Sequence, residues 1–156
     1  MRHKHLGISK VGFLIFALVL FWAGFVSSIS FMEAWLKFRA PGVTLSTGLS
    51  IGKKVFTSLN KVEWCLLIIY LVFTFYYLKT KHIRILMASL IIVLILIIQT
   101  FVLLPQLSER ADIIISGGKV GKSFLHIYFG TLELIKVAGL FYLGYHYYQL
   151  GNRRVS

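Results

Sequence analysis

Charged positions along this chain come in blocks, and the blocks leave four long stretches with little or no charge between them. Residues 11–32, 64–78 and 85–108 contain no Asp, Glu, Lys or Arg, and residues 123–152 contain only Glu133 and Lys136. A helix needs about 20 apolar residues to cross a hydrocarbon layer of about 30 Å. The first, third and fourth stretches meet that length. The second rises only about 22 Å, so its helix must start near Thr57 or Asn60, which draws Glu63 to the edge of the lipid or into it. A backbone in lipid must close its own hydrogen bonds, which leaves helices and closed barrels. The runs are continuous rather than alternating, which excludes a barrel. The pattern predicts an all-α, four-helix transmembrane bundle, one integral membrane domain over residues 1–156, with helices at about 11–32, 60–78, 85–105 and 123–149.

The connections carry their own signals. Residues 44–59 are too polar to span, yet Leu45, Leu49, Gly52, Phe56 and Leu59 form a helical stripe with Lys53, Lys54 and Lys61 mostly off it. This predicts an amphipathic interfacial helix between helices one and two, lying on the bilayer or closing over the bundle. Its lysines would meet lipid phosphates or an anionic ligand. Arg39-Ala40-Pro41-Gly42 stops the first helix, because proline and glycine do not continue one well. Pro105 marks the expected end of the third, which puts Gln106, Glu109, Arg110 and Asp112 in a loop before a turn at Ser116-Gly117-Gly118. A basic start, an apolar run from Phe13 to Val26 and the small polar residues 27–30 resemble a signal peptide; we expect the segment to be retained as the first span.

Composition agrees with the pattern. Hydrophobic residues make up 58% and charged residues 14% of the 156, against about 45–50% and about 25% in soluble domains. Mean hydropathy is +0.81. A water-soluble monomer of this size could not hide so much apolar surface, and a disordered chain would be far less hydrophobic. The 17 basic residues against 5 acidic ones would suit nucleic acid, but the apolar runs between them make the lipid bilayer the expected partner and exclude nucleic acid.

Charge also bears on orientation. With four spans both termini share one side. Arg2, Lys4, Lys10, Lys79, Lys81, Arg84, Arg153 and Arg154 fall there, and Lys37, Arg39, Lys53, Lys54, Lys61, Arg110, Lys119 and Lys122 fall opposite. The positive-inside rule counts only Lys and Arg, so it is tied. The short turn between helices two and three has three basic residues and no acid, while Glu33, Glu63, Glu109 and Asp112 lie on the other side. This favours both termini on the cytoplasmic side.

The most informative residue is Glu133, well inside the fourth span. An ionisable group at mid-membrane costs about 2.5–3.5 kcal/mol on insertion scales. Lys136, three residues on, can meet it on one face. The pair is open to two readings, a neutral lock on helix packing or part of a functional site. His126, Gly130, Glu133, Leu140 and Gly144 share one stripe, whose glycines permit close helix approach. This points Glu133 into the bundle with His126 above it, either as a proton or ligand group or as a satisfied interfacial histidine. Glu33 and Lys37 have the favourable order for an i,i+4 pair. Asn60 and Glu63 sit at i,i+3 at the entrance to the second helix, and Gln99 is the strongly polar residue inside the third. Cys65 is expected to be a small buried apolar residue. Tyr76, Tyr77, Tyr142, Tyr145, Tyr147 and Tyr148 read as an interfacial aromatic belt. Gly117-Gly118-Lys119 lacks the spacing of a phosphate loop. No metal-ligand set, cofactor motif or outstanding covalent nucleophile is present, so no cofactor is expected.

Ser30-Phe31-Met32-Glu33-Ala34-Trp35-Leu36-Lys37-Phe38-Arg39-Ala40-Pro41-Gly42, Ile51-Gly52-Lys53-Lys54-Val55-Phe56, Leu104-Pro105-Gln106-Leu107 with Arg110, and His126 with Glu133 and Lys136 resemble a group of small four-helix bacterial inner-membrane proteins without an established activity. A second resemblance is to the membrane-associated eicosanoid and glutathione metabolism family, in Lys53 followed by Asn60-x-x-Glu63. It implies a trimer binding glutathione between subunits, with Asn60 and Glu63 near the tripeptide. The chain departs from that family at Phe56, where arginine is usual, and in Glu133 and Lys136.

These observations lead to an expected function without a named substrate. Glu33, Asn60, Glu63, His126, Glu133 and Lys136 would form a half-buried polar site for a small polar or amphipathic ligand or a partner subunit. A glutathione-dependent membrane enzyme and a structural accessory subunit are the rival expectations. A homo-oligomer or a larger membrane complex is the corresponding assembly.

Overall fold

The computed structural model describes residues 10–77 and 82–153, which form four long helices joined by short connections. Helix α1 runs Lys10–Arg39, α2 Leu45–Tyr77, α3 Ile83–Ile115 and α4 Leu125–Arg153. Each contains a stretch long and apolar enough to cross a membrane. They pack as an up-and-down bundle in which α1 lies chiefly on α4 and also on α2, while α3 bridges α2 and α4. Arg2, Lys4, Lys79, Lys81 and Arg154, which entered the charge comparison, lie outside the described residues, as does the side chain of Arg153.

The interior is a continuous apolar column that includes Ile15, Val19, Trp22, Leu67, Leu96 and Leu140. Large apolar side chains such as Phe21, Ile68, Phe75, Phe101 and Leu134 cover the outside. That inverted surface is expected of a bundle solvated by lipid, where outward polar groups would be costly. Near the ends of α2 and α4 that lie toward the chain termini, a smaller polar cluster joins three helices. The hydroxyls of Tyr70 and Ser89 share a hydrogen bond of 2.6 Å, and those of Thr74 and Tyr147 one of 2.8 Å. Tyr77 and Tyr147 are therefore core residues, while Tyr76, Tyr142, Tyr145 and Tyr148 are exposed; only part of the expected belt faces outward.

The largest departure from expectation is at the opposite end. There is no separate interfacial helix: residues 45–59 are the first half of a single 33-residue helix, α2. Thr44 caps it, its Oγ1 accepting the Thr47 N–H at 3.2 Å, and no proline interrupts the segment. Its polar half stands upright because its neighbours are also long. The α1 helix continues to Arg39, and α3 continues through Pro105 to Ile115. Lys53 on α2 pairs with Asp112 on α3 at 2.5 Å. At about 1.5 Å per residue α2 is roughly 50 Å long, well beyond the hydrocarbon thickness of about 30 Å.

Both extensions pass through a stretch of π-helix, at Ser28–Glu33 in α1 and Gln99–Leu103 in α3. Local chemistry accounts for each. Pro105 has no N–H for the Phe101 carbonyl and its ring crowds that oxygen; the preceding turn widens, and the Leu104 N–H bonds Gln99 O. In α1, the Ser27 and Ser28 hydroxyls donate back to the carbonyls of Ala23 and Gly24 at 2.7 and 2.9 Å, a substitution that bends helices. Ala40, extended ahead of Pro41, ends α1, and Gly42 takes the positive φ of 79° that the reversal needs.

The end of α1 lies tightly on α2. A Cβ added at Gly48 would stand 2.3 Å from the Phe38 ring, whereas one added at Gly24 would meet nothing within 4 Å. Gly48→Ala should therefore cost about 1–3 kcal/mol through overpacking. Gly24→Ala should be neutral or stabilising by up to about 1 kcal/mol through helix propensity. Thermal unfolding of both variants in detergent micelles checks this; equal melting temperatures would refute the packing.

Candidate functional site

Two adjoining features occupy the middle and the far end of the bundle. The first is a buried charge network. Lys136 on α4 and Glu133 one turn before it both point inward, as their i,i+3 spacing requires. The Lys136 ammonium lies 2.6 Å from Glu63 Oε1 on α2, 2.7 Å from Gln99 Oε1 on α3 and 3.1 Å from Glu133 Oε1. The Gln99 amide donates to Glu133 Oε1 at 2.9 Å, and the Trp22 indole of α1 donates to Glu63 Oε1 at 3.1 Å. All four helices thus contribute. Glu63 is 1% exposed, and Gln99, Glu133 and Lys136 are 0% exposed. Glu133 Oε2 is buried and has no partner among the described residues.

A second polar cluster abuts this network. The Thr100 hydroxyl donates to the Leu96 carbonyl at 2.6 Å and accepts from the Asn60 amide and the Trp64 indole, both at 3.0 Å. Gln99 and Thr100 are consecutive, and Gln99 reaches α4 while Thr100 reaches α2.

The second feature is a cavity of about 470 Å³ among the extended ends of α1, α2 and α3 and the start of α4. Its wall is mostly apolar, and Phe56 and Phe129 meet edge-to-face at 5.4 Å between ring centroids. Phe56 stands four residues before Asn60 of the second cluster and Phe129 four before Glu133 of the network, so the two rings form the cavity floor on the side of these polar groups. The charged and titratable side chains in the wall are Lys37, Lys53, Arg110 and His126; no Asp or Glu lines it. Lys37 pairs with Glu33 at 3.1 Å and lies 5.2 Å from the Phe56 ring centroid. Its ammonium rests against Gly52, where a Cβ would come within 2.8 Å.

The six residues expected to form one site therefore divide. Glu63, Glu133 and Lys136 are in direct contact, and Asn60 adjoins them through the Thr100 cluster. Glu33 is at the cavity end, reaching it through Lys37. His126 is exposed at the cavity wall rather than stacked over Glu133. It shares a helix face with Glu133, but the bundle is hollow at its level, so that face meets space instead of a helix. Cys65 is exposed, not buried, since its side of α2 faces outward. Arg110 and Asp112 are on a helix rather than in a loop. Trp22, Thr100 and Arg110 were missed as site members. Tryptophans and a threonine in apolar runs look like packing residues, and the apparent stop at Pro105 hid the helix that brings Arg110 to the cavity.

This is the architecture of a small four-span membrane protein organised around a buried polar network. No protein-family model, curated protein or solved structure matches the chain. The resemblances to the bacterial inner-membrane group and to the glutathione family accordingly rest on the short motifs alone. Asn60 and Glu63, the residues carrying the second resemblance, are already engaged within this chain by Thr100, Trp22 and Lys136.

Removing one member of a buried ion pair costs about 3–5 kcal/mol. Lys136→Met, which leaves two carboxylates without their cation, should reach or exceed that. Glu63→Gln, which removes the closest partner, should cost more than Glu133→Gln, because Glu133 is farther from the ammonium and has one oxygen unpaired. Melting temperatures in detergent in the order wild type, Glu133→Gln, Glu63→Gln, Lys136→Met would support the geometry. A Lys136→Met protein as stable as wild type would refute it.

Proposed function

We propose that this is a small-ligand-binding membrane protein whose site is the cavity at the end of the bundle away from the termini. The observation carrying the proposal is a cavity of about 470 Å³ with apolar walls and a few convergent polar groups. That is the usual form and size of a small-molecule site. Its apolar lining, with Lys37, Arg110 and Ser30 in the same wall, suits an amphipathic molecule. The charge network beneath the floor has the structural part. It fixes the four helices in register and holds Phe56 and Phe129 in place, so Asn60, Glu63, Glu133 and Lys136 act on the ligand through the frame rather than by contact. The π-helical stretches, often found at functional sites, support the assignment: one carries Ser30 of the wall and Glu33, the other Gln99.

The proposed setting is a bacterial inner membrane with both termini cytoplasmic. A reporter fused to the C-terminus should be active only in its cytoplasmic form, and activity only in a periplasmic form would reverse the orientation.

Gly130 offers a direct test of the cavity. It lines the wall, and a Cβ there meets nothing within 4 Å, so Gly130→Phe should fill space without unfolding the bundle. Twelve-carbon single-chain amphiphiles with neutral, anionic and cationic heads are suitable probes by native mass spectrometry. At least one should bind wild type and lose tenfold or more of its affinity in Gly130→Phe. A panel in which no probe distinguishes the two proteins would remove the reading.

A further inference from the structure

Building on the cavity reading above, we infer that the ligand is a single-chain amphiphile with an anionic headgroup, a carboxylate or a phosphate. The charged wall is of one sign. Lys37 and Lys53 are balanced by Glu33 and Asp112, neither of which lines the cavity. Arg110 and His126, by contrast, have no carboxylate partner among the described residues. The half-buried Arg110 guanidinium donates one hydrogen bond, from Nη2 to the Gly121 carbonyl. Arginine carries five N–H donors in a fork that matches carboxylate and phosphate oxygens, so most of its capacity remains for a ligand. Ser30 adds a buried hydroxyl with no partner among the described residues, also in the wall.

The rest of the wall selects the tail. Phe56, Leu107, Ala111, Ile114 and Phe129 give it an apolar lining. Such a wall gains from burying methylenes, about 0.8 kcal/mol each. The volume lies in the lower half of the range for small-molecule sites, about 300–1,000 Å³, which fits one chain rather than a two-chain lipid. An anion with its head at Arg110 and its tail toward the Phe56–Phe129 floor satisfies both parts. A cation would face Arg110 unscreened, and a neutral head would leave its charge unmatched.

The test uses the full chain in nanodiscs of zwitterionic lipid and four probes sharing a twelve-carbon tail: laurate, lauroyl lysophosphatidate, monolaurin and dodecyltrimethylammonium. Only binding that Gly130→Phe abolishes is counted. The inference expects laurate or lysophosphatidate to bind at least tenfold more tightly than monolaurin, with dodecyltrimethylammonium weakest. Whichever anion binds more tightly identifies the source, a free carboxylate or a lipid phosphate. Arg110→Gln should erase that tenfold preference, bringing the anions down to the affinity of monolaurin. Because wild type alone reports the preference, a poorly folded Arg110 variant does not spoil the test. Equal binding of monolaurin and the anions, or a preference for the cationic probe, overturns the anionic assignment and leaves the cavity reading standing. Absence of any Gly130-sensitive binding overturns both.

Discussion

The Lys136 ammonium, held among Glu63, Gln99 and Glu133, is the constraint on which the bundle depends. In lipid, apolar helices gain nothing from hiding from one another, because the tails outside are as apolar as the side chains within. Helix association therefore rests on packing and on polar groups that need partners. A lysine in that setting must find oxygen, and here the oxygens come from α2, α3 and α4, with Trp22 tying α1 to the same carboxylate. A rotation or a one-turn slip of any of these helices would strand a charge. The network so specifies one register among the many that the apolar faces alone would permit.

The far end of the bundle follows from that register. With the middle fixed, α1, α2 and α3 continue past the thickness of a hydrocarbon layer, and a cavity lies among their ends and the start of α4. Two π-helical stretches, one set by Pro105 and one by back-bonded serines, carry Gln99 and Ser30. Gly48 and Gly52 let Phe38 and Lys37 lie on α2. The wall thus acquires Lys37, Lys53, Arg110 and His126 from four helices, while Glu33 and Asp112 remain outside it.

Some of this was legible in the residues. The four spans followed from the runs between charges, and the Glu133–Lys136 and Glu33–Lys37 pairs followed from helical spacing; these are local properties, fixed by distance along one chain. The continuous α2 helix was not legible. A polar amphipathic segment next to a span reads as interfacial when its neighbours are taken to be short, and the apparent stop at Pro105 made α3 look short. Lys53 needed Asp112, 59 residues away, to show that it stands beside another helix. His126 shared its helical face with Glu133 but not its surroundings, since a stripe on one helix does not say where the opposing helix ends.

By itself, then, the sequence determined the environment and the elements: runs of uncharged residues long enough to cross lipid, with one ion pair sunk in the last. Tertiary structure alone decided which groups that pair would meet and where the bundle would be hollow. The reason is physical. Burying a backbone in a helix is a local transaction between residues four apart, whereas a buried charge and a cavity are defined by what distant segments bring to the same place.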